Sequence, residues 1–242
     1  MRKPGKKGDI AFIETELSII SIIGRAFSTL WGQPFLYLAL GVLSLLPMTM
    51  MWVLAPSMAG YLEKFVNLLC GTLVSAAIAY AVYQSFQGRE TGLGEVLTQG
   101  LKSFANLAIL ALLVNTLIFL GALLLIIPGI IVACMCAVAV PACVVEGLSP
   151  TDSAVRSLNL TQDYRLKIFF ILLIYFAGLL LLTIAGQKAA PLISSHPAIQ
   201  IVISNLILVI PQALYGIIIA LIYSDLRLIK EGISMEKLAE IF

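Results

Sequence analysis

The sequence predicts an all-α integral membrane protein with six transmembrane helices, arranged as three tandem hairpins, each preceded by a cytoplasmic amphipathic helix. Three observations predict it. Some 60% of the 242 residues are apolar and only 12% are charged, which leaves too little polar surface to coat a water-soluble globule of this size. Apolar runs of about 18 to 25 residues, long enough to cross a hydrocarbon core of about 30 Å at 1.5 Å per residue, recur along the chain. The charges, finally, avoid the middles of these runs and sit asymmetrically between them.

The runs fall at about 35–55, 65–86, 104–127, 129–146, 168–186 and 199–223. Arg2, Lys3, Lys6, Lys7 and Arg25 precede the first run, Arg89 and Lys102 follow the second, Arg156, Arg165 and Lys167 follow the fourth, and Arg227, Lys230 and Lys237 follow the sixth. Of the fifteen Lys and Arg residues only Lys64 and Lys188 fall on the other side. Excess positive charge stays in the cytoplasm, so both termini are expected there, as an even number of spans requires. The N-terminal MRKPGKKGD is basic, but Glu14 and Glu16 stand where a signal peptide would have its apolar core, and it is expected to be retained.

The single domain opens on a basic tail and an amphipathic helix over 1–31. Phe12, Ile13, Leu17, Ile20, Ile23, Phe27 and Leu30 recur at three- and four-residue steps opposite Glu14, Ser18, Ser21, Arg25 and Ser28. A second amphipathic segment sets Leu93, Val96, Leu97, Leu101 and Phe104 against Glu95, Gln99 and Lys102. The third begins at Ser149-Pro-Thr-Asp152, which reads as a capping box with proline in the first turn. It turns Ala154, Val155 and Leu158 one way and Arg156, Asn159 and Asp163 the other. Such helices either lie in the lipid headgroup layer or pack as short connectors under the bundle.

Within the runs, Ile127-Pro128-Gly129 is too short for a loop and predicts a tight hairpin on the outer side. Pro47, Pro141 and Pro211 each free a carbonyl and bend their helices. Gly71 with Ser75, and Gly216 with Ala220, are spaced to let helices approach closely. Residues 224–242 form a charged cytoplasmic tail.

Two groups of residues are candidate sites. Asn115 near the middle of the third span, with Asn205 and Gln212 on the sixth, forms a polar seam at the midplane; a primary amide in hydrocarbon demands a partner. The seam either glues helices together or lines a polar pocket. Glu146, Arg156, Asp225 and Arg227 form a charged cytoplasmic group, with Glu146 and Arg156 close enough in sequence to clamp the loop between them. Catalysis has little support: His196 is the only histidine and lies in a loop without a neighbouring carboxylate, no metal-ligand spacing is present, and no glycine-rich loop follows a strand. Cys70, Cys134, Cys136 and Cys143 read as small packing residues within spans. No cofactor or metal is expected, no ionisable group sits deep in a span as ion-coupled carriers require, and a net charge of +2 gives no reason to expect a nucleic-acid partner.

The stretch Ile127-Pro-Gly-Ile-Ile131, Pro141, Val144-Val-Glu-Gly147, Ser149, Ala154-Val-Arg-Ser157 and Leu160, with the ending Tyr223-Ser-Asp-Leu-Arg-Leu-Ile-Lys-Glu-Gly232, resembles the YciC-like bacterial inner-membrane proteins. It is also similar to the related membrane domain fused to some glycerophosphoryl diester phosphodiesterases. The resemblance covers most of the chain and implies a six-span protein of the bacterial plasma membrane, loosely associated with lipid metabolism. Glu146, Arg156, Asp225 and Arg227 are motif positions within it. The soluble phosphodiesterase domain is missing, so hydrolysis does not carry over. The expected function is therefore non-catalytic: binding or organising membrane lipids, or supporting an envelope protein partner. The alternative is a facilitator or exporter of a small solute or lipid.

Overall fold

A computed structural model of the chain describes residues 17–54, 56–89 and 91–232. The basic tail, with Phe12, Ile13 and Glu14 of the first amphipathic segment, and the C-terminal residues 233–242 lie outside the described residues. The secondary structure of the described residues is helical throughout, with no strand, in the order α1 (Ile19–Gly32), α2 (Pro34–Leu54), α3 (Pro56–Phe86), α4 (Leu93–Lys102), α5 (Phe104–Leu124), α6 (Ile126–Met135), α7 (Ala139–Glu146), α8 (Pro150–Thr161), α9 (Arg165–Ile193), α10 (Pro197–Ile207) and α11 (Val209–Glu231), joined by short turns.

Among the described residues, six helical segments are long and apolar enough to cross a membrane: Pro34–Val53, Lys64–Phe86, Phe104–Leu124, Ile126–Glu146, Arg165–Ile193 and Pro197–Glu231. Two of them are broken. The fourth divides into α6 and α7 at Cys136–Val138, and the sixth into α10 and α11 at Leu208. In each case a proline, Pro141 or Pro211, falls in the first turn of the second piece, where the missing N–H has no intrahelical partner to lose. Pro47, by contrast, is accommodated inside a continuous α2.

The centre of the bundle is α11, which packs against α1, α2, α3, α7 and α8. Ile217, Leu221 and Tyr223 on α11 join Tyr37, Leu40, Ile78, Ile168 and Ile171 in one buried cluster. Close packing at this centre depends on a missing side chain: a Cβ on Gly216 would lie 2.8 Å from Ile78 Cδ1 and 3.0 Å from Ile78 Cβ. The small residues expected to bring helices together thus do so between α11 and α3. At Gly71 the space is instead open, with Gln212 Nε2 3.9 Å from where a Cβ would be.

The connection between the third and fourth apolar segments is tighter than its sequence suggests. Ile127-Pro128-Gly129 is no connector but part of the first turn of α6, and Leu125 alone separates α5 from α6. A Cβ on Gly129 would fall 2.9 Å from the Ala122 backbone, so only glycine permits the two helices to meet there.

The short helices bury only part of the faces their hydropathy indicates. In α8 the buried residues are Ser153, Ala154, Ser157, Leu160 and Thr161, while Val155 is exposed. The reason is the break in the fourth segment. Met135 C=O, left without its helical partner, accepts hydrogen bonds from Ser157 Oγ (2.7 Å) and Thr161 Oγ1 (3.2 Å), and Val138 N donates to Ser157 Oγ at 3.3 Å. An unmet carbonyl in an apolar setting costs several kcal/mol, and hydrogen bonds from two hydroxyls remove that cost. Ser149 starts α8, its Oγ accepting from Asp152 N at 3.2 Å, with Pro150 at the first position. In α1 the buried stripe is Ile22, Ala26 and Leu30, leaving Ile20, Phe27 and Trp31 outside; in α4, Val96 and Gly100 face inward and Leu93 and Leu101 outward.

Candidate functional site

Two places gather the polar residues: a cavity about halfway along the apolar helices, and an ion-pair cluster at the end of the bundle that carries α8.

The cavity has a volume of about 440 Å³ and is half enclosed. Its walls come from α3 (Asn67, Leu68, Gly71, Thr72, Ser75), α5 (Leu110, Val114, Asn115), the broken stretch Cys136–Ala137, α9 (Leu172, Tyr175, Phe176) and α11 (Gln212, Tyr215, Ile219). One of the two breaks in helix geometry therefore borders it, at Cys136 and Ala137; near the other, Pro211 C=O accepts from Tyr175 Oη of the cavity wall at 3.2 Å. No charged side chain lines it. Its polar groups are amides and hydroxyls set in an apolar wall.

Of the three amides of the expected seam, Asn115 and Gln212 both line this cavity. They are not paired with each other: Asn115 Nδ2 donates to Ala111 O of its own helix at 2.8 Å, and Gln212 Nε2 donates to Ser44 Oγ of α2 at 3.1 Å. Asn205 sits apart from the cavity, its Nδ2 donating to Thr49 Oγ1 at 2.7 Å, while Thr49 Oγ1 donates to Leu45 O. Asn205 and Gln212 thus share α2 as a partner, as their seven-residue step requires, and act as interhelical ties. Each amide spends one N–H on the protein, so at Asn115 and Gln212 the carbonyl oxygen and the second N–H remain for whatever enters the cavity. Tyr175 and Tyr215, whose tilted rings lie 5.3 Å apart between centroids, carry no sequence signal of this role, because tyrosine in an apolar run has no pattern that separates a cavity wall from a core.

The ion-pair cluster joins α7, α8 and α11. Glu146 accepts from Arg156 Nε with both carboxylate oxygens at 3.1 Å and from Tyr223 Oη at 2.6 Å. Arg227 Nη1 donates to Tyr223 Oη at 3.0 Å and lies 3.7 Å from Glu146 Oε1; Arg227 Nε reaches Glu231 Oε2 at 3.1 Å. Arg156 Nη2 closes the ring on Glu231 Oε1. Carboxylates and guanidiniums alternate around Tyr223 with zero net charge. Burial works against the charge on Arg156, but its hydrogen bonds to Glu231 and Glu146 outweigh that and hold its pKa above the ordinary value. The clamp expected between Glu146 and Arg156 is present, and Arg227 belongs to it. Asp225 does not: two residues from Arg227 on a helix is about 200° around the axis, and Asp225 instead holds Arg25 of α1 at 2.9 Å through both oxygens. Tyr223 and Glu231 went unnoticed as members, although the four-residue steps from Tyr223 through Arg227 to Glu231 place all three on one stripe of α11.

His196 caps the start of α10 on an exposed face, and among the described residues no three His, Cys, Asp or Glu come together as a metal site. The four cysteines are unpaired, three of them buried. No family model matches the chain, and no curated protein or solved structure is found to be similar to it.

Proposed function

We propose that this is a non-catalytic, multi-pass protein of a bacterial plasma membrane that binds and organises lipid, with the cavity beside Asn115 and Gln212 as its ligand site. The observation that carries the reading is the chemistry of the cavity wall: uncharged amides and hydroxyls on an apolar surface, with no counter-charge. An ion held there would lose its hydration without compensation. An amphiphile with a neutral hydrogen-bonding group, an ester or a hydroxyl beside an acyl or prenyl chain, fits both kinds of wall.

The exposed apolar residues of the short helices support the same reading. Ile20, Phe27 and Trp31 on α1, and Leu93 and Leu101 on α4, leave large apolar surface uncovered, which suits helices lying in the cytoplasmic headgroup layer ahead of transmembrane hairpins. The charge distribution supports cytoplasmic termini, and the resemblance to the YciC-like proteins supports a bacterial plasma membrane and a lipid association. An envelope protein docked on these helices is a further role in keeping with that setting.

A second reading, a facilitator or exporter, draws on the helix break at Cys136–Ala137 that borders the cavity, since discontinuous helices are a common way for transporters to build sites and move. Native mass spectrometry on protein extracted with its bilayer into polymer nanodiscs tests the first. One lipid class should stay bound in fixed ratio and be lost from an Asn115→Leu, Gln212→Leu variant. Equal retention of bulk lipid by both proteins would reject lipid binding at this site. Cysteines placed at 115 and 212, in a background without the native four, should react with a small water-soluble thiol reagent if a permeation path exists and stay inert if the cavity serves lipid alone.

A further inference from the structure

We propose a second binding site, separate from the cavity: a pocket between α1, α2 and α3 that takes the uncharged, polyhydroxyl headgroup of a membrane lipid. The pocket has a volume of about 270 Å³ and is lined by Gln33, Tyr37, Val82, Ser85 and Phe86 among others. Three buried polar atoms on its wall, Gln33 Oε1, Tyr37 Oη and Ser85 Oγ, make no hydrogen bond of full geometry among the described residues, although the Tyr37 and Ser85 hydroxyls lie near enough to interact with each other. Tyr37 itself is only 1% exposed, so its hydroxyl cannot turn out to water. A buried polar group without a partner costs about 1–3 kcal/mol. Three around one void describe a shared demand for hydrogen bonds.

The chemistry of that demand selects the ligand. Gln33 Oε1 only accepts, and the two hydroxyls both donate and accept. No lining residue is charged, so a phosphate, carboxylate or ammonium would be buried without compensation. A group carrying several hydroxyls satisfies all three atoms: it donates to Gln33 and exchanges hydrogen bonds with Tyr37 and Ser85. Val82 and Phe86 offer an apolar floor to the carbon skeleton of such a group. At about 30 Å³ per water, the pocket is far larger than one bridging water needs.

Its position ties the headgroup to a lipid. The pocket lies where the apolar segment Pro34–Val53 begins and Lys64–Phe86 ends, at the edge of the hydrocarbon layer. Beside it Trp31 is 68% and Phe35 92% exposed, and aromatic rings, tryptophan above all, favour that depth.

The test uses the full chain in phosphatidylcholine nanodiscs prepared by polymer extraction, since sugar detergents would compete. A monoglycosyl diacylglycerol is added, with free glucose in a parallel arm, and binding is read by native mass spectrometry and thermal unfolding. The wild type should retain the glycolipid at least about tenfold over phosphatidylcholine and unfold at a higher temperature with it. The Tyr37→Phe, Ser85→Ala variant should lose both effects while matching the wild type's stability in glycolipid-free discs, because the two buried hydroxyls removed have at most a weak contact with each other. Equal glycolipid retention by wild type and variant would overturn the site. A response to free glucose as strong as to the glycolipid would overturn the lipid source and leave a soluble sugar as ligand. A more stable variant with neither ligand bound by the wild type would reduce the pocket to packing strain.

Discussion

The most apolar 18-residue stretches of the fifth and sixth segments are close in mean hydropathy, 2.8 and 2.3, yet 11% of the first stretch and 67% of the second is buried within the protein. On α9, Leu173, Ile174, Phe176, Leu180 and Leu181 all face outward. On α11, Ala213, Gly216 and Ala220 are buried, and polar groups tie its segment to the rest: Asn205 and Gln212 to α2, Tyr223, Arg227 and Glu231 to the ring with α7 and α8. In lipid there is no hydrophobic force to draw helices together, because acyl chains are as apolar as leucine. What separates a central helix from a peripheral one is therefore its small residues and its hydrogen bonds, and the greasier helix is the one left facing the bilayer.

The largest effect should come from the ring. Arg227→Ala removes a guanidinium that is 9% exposed beside two carboxylates and should cost about 3 kcal/mol, whereas Lys188→Ala at an exposed position on α9 should stay within about 0.5 kcal/mol; denaturation titrations in mixed micelles measure both. Equal losses would break the contrast between the two segments. Next come the glycines. Gly216→Ala pushes a methyl into Ile78 and should cost about 1–2 kcal/mol, while Gly178→Ala on α9, with nothing within 4 Å, should be neutral or gain up to about 1 kcal/mol of helix propensity. Smallest is Asn205→Leu, which deletes one interhelical hydrogen bond to Thr49 and should cost about 0.6 kcal/mol, sharpening how much of the sixth segment's attachment is polar.

The candidate sites were legible in unequal measure. Glu146 with Arg156 could be read because ten residues and one helix cap separate them. Arg25 with Asp225, 200 residues apart in sequence, could not, since nothing local links the ends of the chain. Asn115 and Gln212 stood out because amides are costly in hydrocarbon, but their proximity to one cavity depends on how α3, α5, α9 and α11 converge. The buried side of α8 is hidden for a related reason: nothing local marks Ser157 and Thr161 for burial, and it is Met135, on another element, that takes their hydroxyls.

Segment number and the Ser149 cap of α8 were determined by the sequence itself, because an apolar run and the side chain at a helix start act within a few residues; the fifth and sixth segments run longer, Arg165–Ile193 and Pro197–Glu231, than their apolar runs alone indicate. Tertiary structure decided which segments are central, where α6–α7 and α10–α11 break, and which polar groups meet. Those outcomes rest on close approach and on carbonyls freed in one helix and satisfied by another, and both are properties of pairs of helices that no single stretch of sequence contains.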